Sequence, residues 1–529
     1  MRDKPIVHDT VMSHSHHHCS CVGCHHGITR RSFVKSCGIV LATGARMVSG
    51  ISPADEPNDK PVRVGLVFLS KAGESWPHPQ FDVEARQKEI LNLLKEGCRK
   101  VEFIPVVVRN PDEVHKAVSI KDQVDGYLVY VVTLTWSLTR AITAIGKLGK
   151  PMVVADEYLG GSGVFLVGYS RLCQESVPAC GVATTRMSDL VAVARCFADL
   201  KPGTTPEAFA RKCQDVYRQT FAPVGDMKCL DHPGKLTDIG QAVRRFKNSR
   251  FLIVGRGKAG QEQDFLGAKG IYIGFDQFNA LYEQVDSQQA AEWADRWTKE
   301  GDKVVEPTPE WLRKAGAVYL ATLELLKRYD TDTVTMNCLG GFNAGKLPAY
   351  PCLGFMQLLN DGGHGVCEAM PDDTLSMLMA RFLTGRPGYV SDPVLDTAKN
   401  QVVYAHCVAT TKAFGPRGPS NMYRIRTLHD RDPRGTCAQS FLPVGYMTTS
   451  FRTDFARKTM VIHQAKSVGN LDAPRGCRTQ LVGEVRGDIC KLFNQWDPFG
   501  WHRVTVFGDV KGPLIEFGKA LGLAVVEEA

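Results

Sequence analysis

The chain has 529 residues, 43% hydrophobic and 23% charged, with a formal net charge of +8. That length exceeds one hydrophobic core and implies roughly two to four domains of ordinary globular composition. No basic cluster is interleaved with aromatics, which removes support for nucleic-acid binding, and no uninterrupted apolar run reaches the ~20 residues of a membrane helix.

Residues 1–59 carry no fold pattern. His14, His16, His17, His18, His25 and His26 lie among Cys19, Cys21 and Cys24. These are ligand types for a soft or borderline metal without the spacing of a finger or ribbon, so the tract reads as flexible and metal-scavenging. Thr29-Arg30-Arg31-Ser32-Phe33-Val34-Lys35 follows, then a weakly apolar run over 37–45. Paired arginines, a Phe two places on, a Lys and a modest hydrophobic stretch resemble a twin-arginine export signal. The resemblance implies an export translocase as partner and a periplasmic or extracellular protein; the alternative is a charged tail on a cytoplasmic one. Residues 53–59 are a linker by composition.

From residue 62 strands alternate with helices. Strands are expected at 62–69, 101–108, 124–132 and 151–155, with helices at 80–96, 112–118 and 136–148, the signature of a parallel, doubly wound sheet. Gly160-Gly161-Ser162-Gly163 lacks a dinucleotide or phosphate-loop spacing and reads as a sharp turn. A second alternating unit carries helices at 187–200, 206–221, 287–300 and 309–329 and strands at 251–255, 270–274 and 333–338, with a loop at 340–345. Gly255-Arg256-Gly257-Lys258-Ala259-Gly260 has the composition of a phosphate loop but not its Lys-Ser/Thr ending, so a tight turn is expected. Beyond 351 the chain turns strand-rich, with short candidates at 401–405, 422–427, 441–447, 458–464 and 480–484, and predicts a mostly antiparallel barrel. The expected organisation is α/β: signal, tract and linker at 1–59, doubly wound α/β domains at 60–170 and 171–350, and a strand-rich, barrel-like domain at 351–529.

The stretch 351–393 organises the rest. A short apolar run, 365–367, ends in Glu368. A helix over 373–384 presents Leu375, Leu378, Met379 and Phe382 on one face, Gly385-Arg386-Pro387 stops it, and a second strand, 388–391, ends in Asp392. Strand, helix, strand is expected to return to one sheet edge, placing both carboxylates at equivalent strand ends, where α/β sites form. Two convergent carboxylates suit a hard or borderline divalent metal. Each acid alone reads equally as a helix cap or a solvated loop residue.

Two motifs carry a family resemblance. Cys367-Glu368, then Leu383-Thr384-Gly385-Arg386-Pro387, then Ser391-Asp392-Pro393, is similar to the metal-site region of the L-fucose isomerase and L-arabinose isomerase superfamily. The ending Trp501-His502-Arg503-Val504, with Gly508-Asp509 and Leu521-Gly522-Leu523, resembles the L-fucose isomerase branch. The resemblance implies an aldose–ketose isomerase acting on a monosaccharide of the fucose or arabinose type. It implies one divalent metal, Mn2+ as a rule, on Glu368, Asp392 and His502, and a homo-oligomer, trimer or hexamer. The family often carries an acid two residues after the metal Glu. Here that position is Met370, and the acids come at Asp372 and Asp373, which leaves sugar specificity open; an export signal also departs from a cytoplasmic family.

The residue types match the chemistry. A divalent ion gripping two sugar oxygens acts as a Lewis acid, and a positioned carboxylate, Glu368 or Asp392, shuttles a proton between neighbouring carbons. His406 and Trp501 are candidate substrate contacts, against packed strand-end residues as the plain alternative. His364, in a Gly-rich loop near Glu368, is a weaker candidate. Thirteen of the 17 cysteines follow residue 59, scattered without a finger pattern, and read as buried free thiols. An exported, non-catalytic sugar-binding protein is the competing function.

Overall fold

Apolar runs unbroken by polar residues mark strands covered on both faces, and the centre of the first sheet is built from them. The computed structural model describes residues 60–71, 78, 80–232, 234–428, 434–494, 496 and 499–529. The export motif, the His/Cys tract and the linker lie outside the described residues. Strands β1 (Val62–Leu69), β2 (Val101–Val108), β3 (Gly126–Val131), β4 (Met152–Asp156) and β5 (Cys180–Val182) form an all-parallel sheet in the order β2-β1-β3-β4-β5. All residues of β3 and β4 are buried. The helix expected at 80–96 starts at Val83, where the Asp82 side chain accepts from the Ala85 N–H and fixes the first turn.

The second sheet contains β6 (Arg250–Val254), β7 (Glu262–Phe265), β8 (Ala268–Ile273), β10 (Thr333–Met336) and β11 (His364–Cys367), ordered β11-β10-β6-β8-β7 and parallel except for β7. A small sheet joins β9 (Lys303–Val304) to β14 (Tyr423–Arg426) and β15 (Cys437–Ser440). Strands β12 (Tyr389–Asp396), β13 (Gln401–His406), β16 (Met447–Asp454), β17 (Thr459–Asn470), β18 (Thr479–Val485) and β19 (Arg503–Phe507) close into a six-stranded antiparallel barrel, because β16 pairs with both β19 and β17. Strand β20 (Ala524–Glu527) adds in parallel to β17. Mixed α/β layering with parallel sheets and a C-terminal barrel is thus the architecture, and residues 60–529 form one compact unit.

Several expectations change. The turn at 160–163 runs into the helix Ser162–Gln174, and β5 follows, so the first sheet extends past residue 170. The loop expected at 340–345 is largely the short helix Cys338–Asn343, and residues 352–361 form a further helix, Cys352–Asp361. Residues 441–446 fall between β15 and β16. Strand β11 lies beyond residue 350, so the second sheet reaches into the expected third domain.

The largest correction concerns the organising stretch. Strands β11 and β12 belong to different sheets, the first parallel to β10 and the second between β19 and β13 of the barrel. The reason lies in the helix between them, Pro371–Thr384. Its apolar stripe is only half of it: Thr374, Ser376, Met377, Ala380 and Leu383 are buried as well. A helix buried all round sits between two layers, and this one spans from the second sheet to the barrel. Gly385, in the left-handed conformation at φ +68°, ends it.

Candidate metal centre

Glu368 follows the last residue of β11, outside the carboxyl end of a parallel sheet, where such folds place ligands. Glu368 at φ +66° and Ala369 at φ +50° are both left-handed, a conformation costing about 1–2 kcal/mol for a residue with a side chain. Neighbours hold it there. The Ala369 N–H donates to the Met336 carbonyl, and Arg256, in the glycine turn after β6, donates to the Ala369 carbonyl at 3.1 Å. Gly255, Gly257 and Gly260 give that turn its positive φ values, so the phosphate-loop lookalike serves to position the site. Strain of this kind concentrates where function fixes the backbone.

Asp392 comes from the barrel. Ser391 pairs with Arg503, and continuing the antiparallel register by one residue sets Asp392 opposite His502. His502 Nε2 lies 3.0 Å from Asp392 Oδ1 and 3.7 Å from Glu368 Oε2. The first contact lacks hydrogen-bond alignment, and buried Asp392 Oδ1 finds no hydrogen-bond partner among the described residues. His406 ends β13. Its Nε2 is 3.9 Å from Glu368 Oε1, and its ring meets that of His502 edge-on with centroids 5.2 Å apart. Glu368 and Asp392 thus approach one imidazole, His502, from two sheets, and His406 approaches Glu368.

Asp373 was legible as a helix start and as one of two acids displaced from the family's position, yet it sets the imidazole. It is fully buried, faces His502 Nδ1 at 2.5 Å and accepts from Arg452 Nε at 2.9 Å. A carboxylate on the far nitrogen fixes the ring so that Nε2 faces the site. Burial pushes the Asp373 carboxyl up, but Arg452 and His502 outweigh it and hold it well below the usual carboxylate range. Burial would lower the His502 imidazole; Asp373 and Asp392 overcome that and raise it well above its ordinary value. Glu368 is raised, chiefly by burial, and keeps 27% of its side chain accessible. Burial also opposes charge on His406, but Cys407 beside it raises the ring to about 9.

Glu368, Asp392 and His406 share a cavity with Cys352, Cys407 and Cys477, of about 20 Å³ open to the centre of a water molecule. That is room for a water or an ion. Donors around one ion with bonds of about 2.0–2.2 Å sit about 3 Å apart at right angles and about 4.3 Å apart when opposite; the 3.0, 3.7 and 3.9 Å separations fall inside that span. The sets Glu368/His406/His502 and Cys367/His406/Cys407 each bring three ligand atoms within 4.8 Å of one another, a spacing that fits a divalent cation; Asp392 belongs to neither set and approaches through His502 Nε2 at 3.0 Å.

Trp501 takes another role. It packs edge-on against Trp136 with centroids 4.6 Å apart, and an added Cβ on Gly163 would meet its ring at 2.5 Å. It joins β19 to the first α/β layer and does not line the cavity. His364 is no loop residue: it opens β11, at the end away from Glu368, fully buried beside Thr333 and Arg381.

No family model matches the chain, and no curated protein matches it. No described helix is long and apolar enough to cross a membrane.

Proposed function

We propose that the protein is a metal-dependent aldose–ketose isomerase whose ion is held by Glu368, Asp392 and His502. The observation that carries this reading is the approach of two carboxylates, Glu368 and Asp392, to the Nε2 of one carboxylate-oriented imidazole, His502. Two oxygens and a nitrogen suit a hard or borderline ion such as Mn2+. When bound, such an ion supplies Lewis-acid polarisation of adjacent sugar oxygens.

The chain's own residues supply the rest. Glu368, raised by burial and partly open to the cavity, is the carboxylate that takes a proton from the carbon next to the carbonyl and returns it to the neighbouring carbon. Asp373 keeps His502 turned inward. His406 Nε2, near Glu368, is placed to hydrogen-bond a sugar hydroxyl. A monosaccharide is larger than the cavity, so binding requires Leu339, Tyr350 and Leu428 on its wall to move outward. Loading the protein with Mn2+ and assaying fucose- and arabinose-type aldoses for ketose formation tests the proposal. Conversion that disappears in Glu368→Gln is expected. Binding of sugar without conversion, or no turnover of any aldose with Mn2+ bound, overturns it.

A further inference from the structure

Behind the carboxylates the cavity wall is sulfur. Cys367, one residue before Glu368, and Cys407, one residue after His406, bring their Sγ atoms to 3.8 Å. Cys407 Sγ is 3.5 Å from His406 Nδ1. Cys352 lines the same cavity as Cys407. Cys352, Cys367, Cys407 and His406 are all buried, and the four come from three separate stretches: a helix, the end of β11 and the end of β13. The described cysteines are free thiols.

These separations match a tetrahedral thiolate site. Bonds of about 2.3 Å to sulfur and about 2.05 Å to nitrogen at the tetrahedral angle put two sulfurs ~3.8 Å apart and a sulfur and a nitrogen ~3.6 Å apart. Thiols in plain van der Waals contact reach the same S–S distance. Simple packing, however, does not call for an imidazole nitrogen turned onto one of those sulfurs. We infer a second metal site, for a soft divalent ion of the zinc class, formed by the Sγ atoms of Cys367 and Cys407 and by His406 Nδ1. Each thiol that ligates releases its proton to solvent. The His406 ring separates this ion from the carboxylates, presenting Nδ1 to sulfur and Nε2 to Glu368. Its consequence is structural: an ion here ties the end of β11, and with it the strained Glu368 turn, to β13 of the barrel. The inference does not rest on the isomerase reading.

Cobalt(II) is the probe. The full-length chain, purified under reducing conditions, is titrated with cobalt, and the thiolate-to-cobalt charge-transfer absorption is followed in the near ultraviolet. Wild type is expected to show the band at one equivalent. Glu368→Gln is expected to keep it, which separates this site from the carboxylate centre. Cys367→Ser and Cys407→Ser are expected to bind cobalt at least tenfold more weakly. Should those variants fail to fold, X-ray absorption of the zinc-loaded wild type decides: two or three sulfur scatterers at about 2.3 Å support the site. A shell of oxygen and nitrogen alone, absence of the band in wild type, its loss in Glu368→Gln, or a Cys367–Cys407 disulfide in the freshly purified protein overturns it.

Discussion

Replacing Asp373 by Asn isolates the one group that couples the core to the candidate ion. Asp373 is fully buried, with Arg452 Nε at 2.9 Å and His502 Nδ1 at 2.5 Å. The amide keeps the volume but loses the charge, and it turns one N–H donor toward a neighbour that is also a donor. Among the described residues, Arg452 keeps the Phe499 carbonyl and Asp372 at 3.7 Å. Breaking a buried pair from one side costs about 3–5 kcal/mol, and since Asn retains one acceptor the lower end, ~3 kcal/mol, is expected from urea unfolding of the metal-free protein. Loss of the partner that orients a ligating His weakens metal binding 10–100-fold, or about 1.4–2.7 kcal/mol, read by calorimetric titration with Mn2+. The sign with pH follows from the depressed Asp373 carboxyl. Its stabilisation is complete above the unfolded value near 3.9 and is lost as pH falls below about 4, so the stability gap persists at pH 7 and narrows in acid. A gap under about 0.5 kcal/mol together with Mn2+ affinity within twofold of wild type refutes the reasoning.

Other outcomes follow from the same geometry. His502, raised well above its ordinary value without metal, must lose a proton to ligate; Mn2+ affinity should therefore rise with pH through neutrality, and calorimetry in buffers of different ionisation enthalpy should show proton release that Asp392→Asn diminishes. Gly163→Ala drives a methyl into the Trp501 ring and should destabilise by about 1–3 kcal/mol, measured by thermal unfolding, with weaker Mn2+ binding because Trp501 adjoins His502. At Ala369, φ +50° makes a β-branched replacement costly: Ala369→Val should lose more than about 2 kcal/mol, whereas in Ala369→Gly relief of strain and loss of a buried methyl offset to within about 1 kcal/mol. Glu528, held down to about 2 by Arg503 and His463 despite burial that pushes it up, contributes ~3 kcal/mol at neutral pH; that stability is lost as pH falls from the unfolded value near 4.3 toward 2, so Glu528→Gln should be less stable at pH 7, keep roughly half of that gap at pH 3 and approach wild type near pH 2.

Local pattern carried much of this fold. Strands β1 and β2 and the helix Ser287–Glu300 have the bounds their pattern implies, because a mostly apolar run or a capped amphipathic segment is a local fact. Glu368, Asp392 and His502 were legible as a set by family resemblance, and their meeting is real. What stayed hidden is tertiary. The Pro371–Thr384 helix looks one-sided in sequence because Thr374, Ser376 and Thr384 are polar; each finds a hydrogen-bond partner and is buried all the same, and only then do β11 and β12 part into separate sheets. Asp373 resembles any acid in the first turn of a helix until Arg452 and His502, 79 and 129 residues away, reach it. The thiols at Cys352, Cys367 and Cys407 are too widely spaced to read as a motif, and the folded chain alone assembles them.

Anomalous diffraction from crystals soaked in manganese tests the central claim most directly. The account predicts one peak per chain, about 2.0–2.3 Å from carboxylate oxygens of Glu368 and Asp392 and from His502 Nε2, absent in Asp392→Asn. A manganese peak that leaves Glu368 and Asp392 unligated, or full manganese occupancy at the same place in that variant, contradicts it.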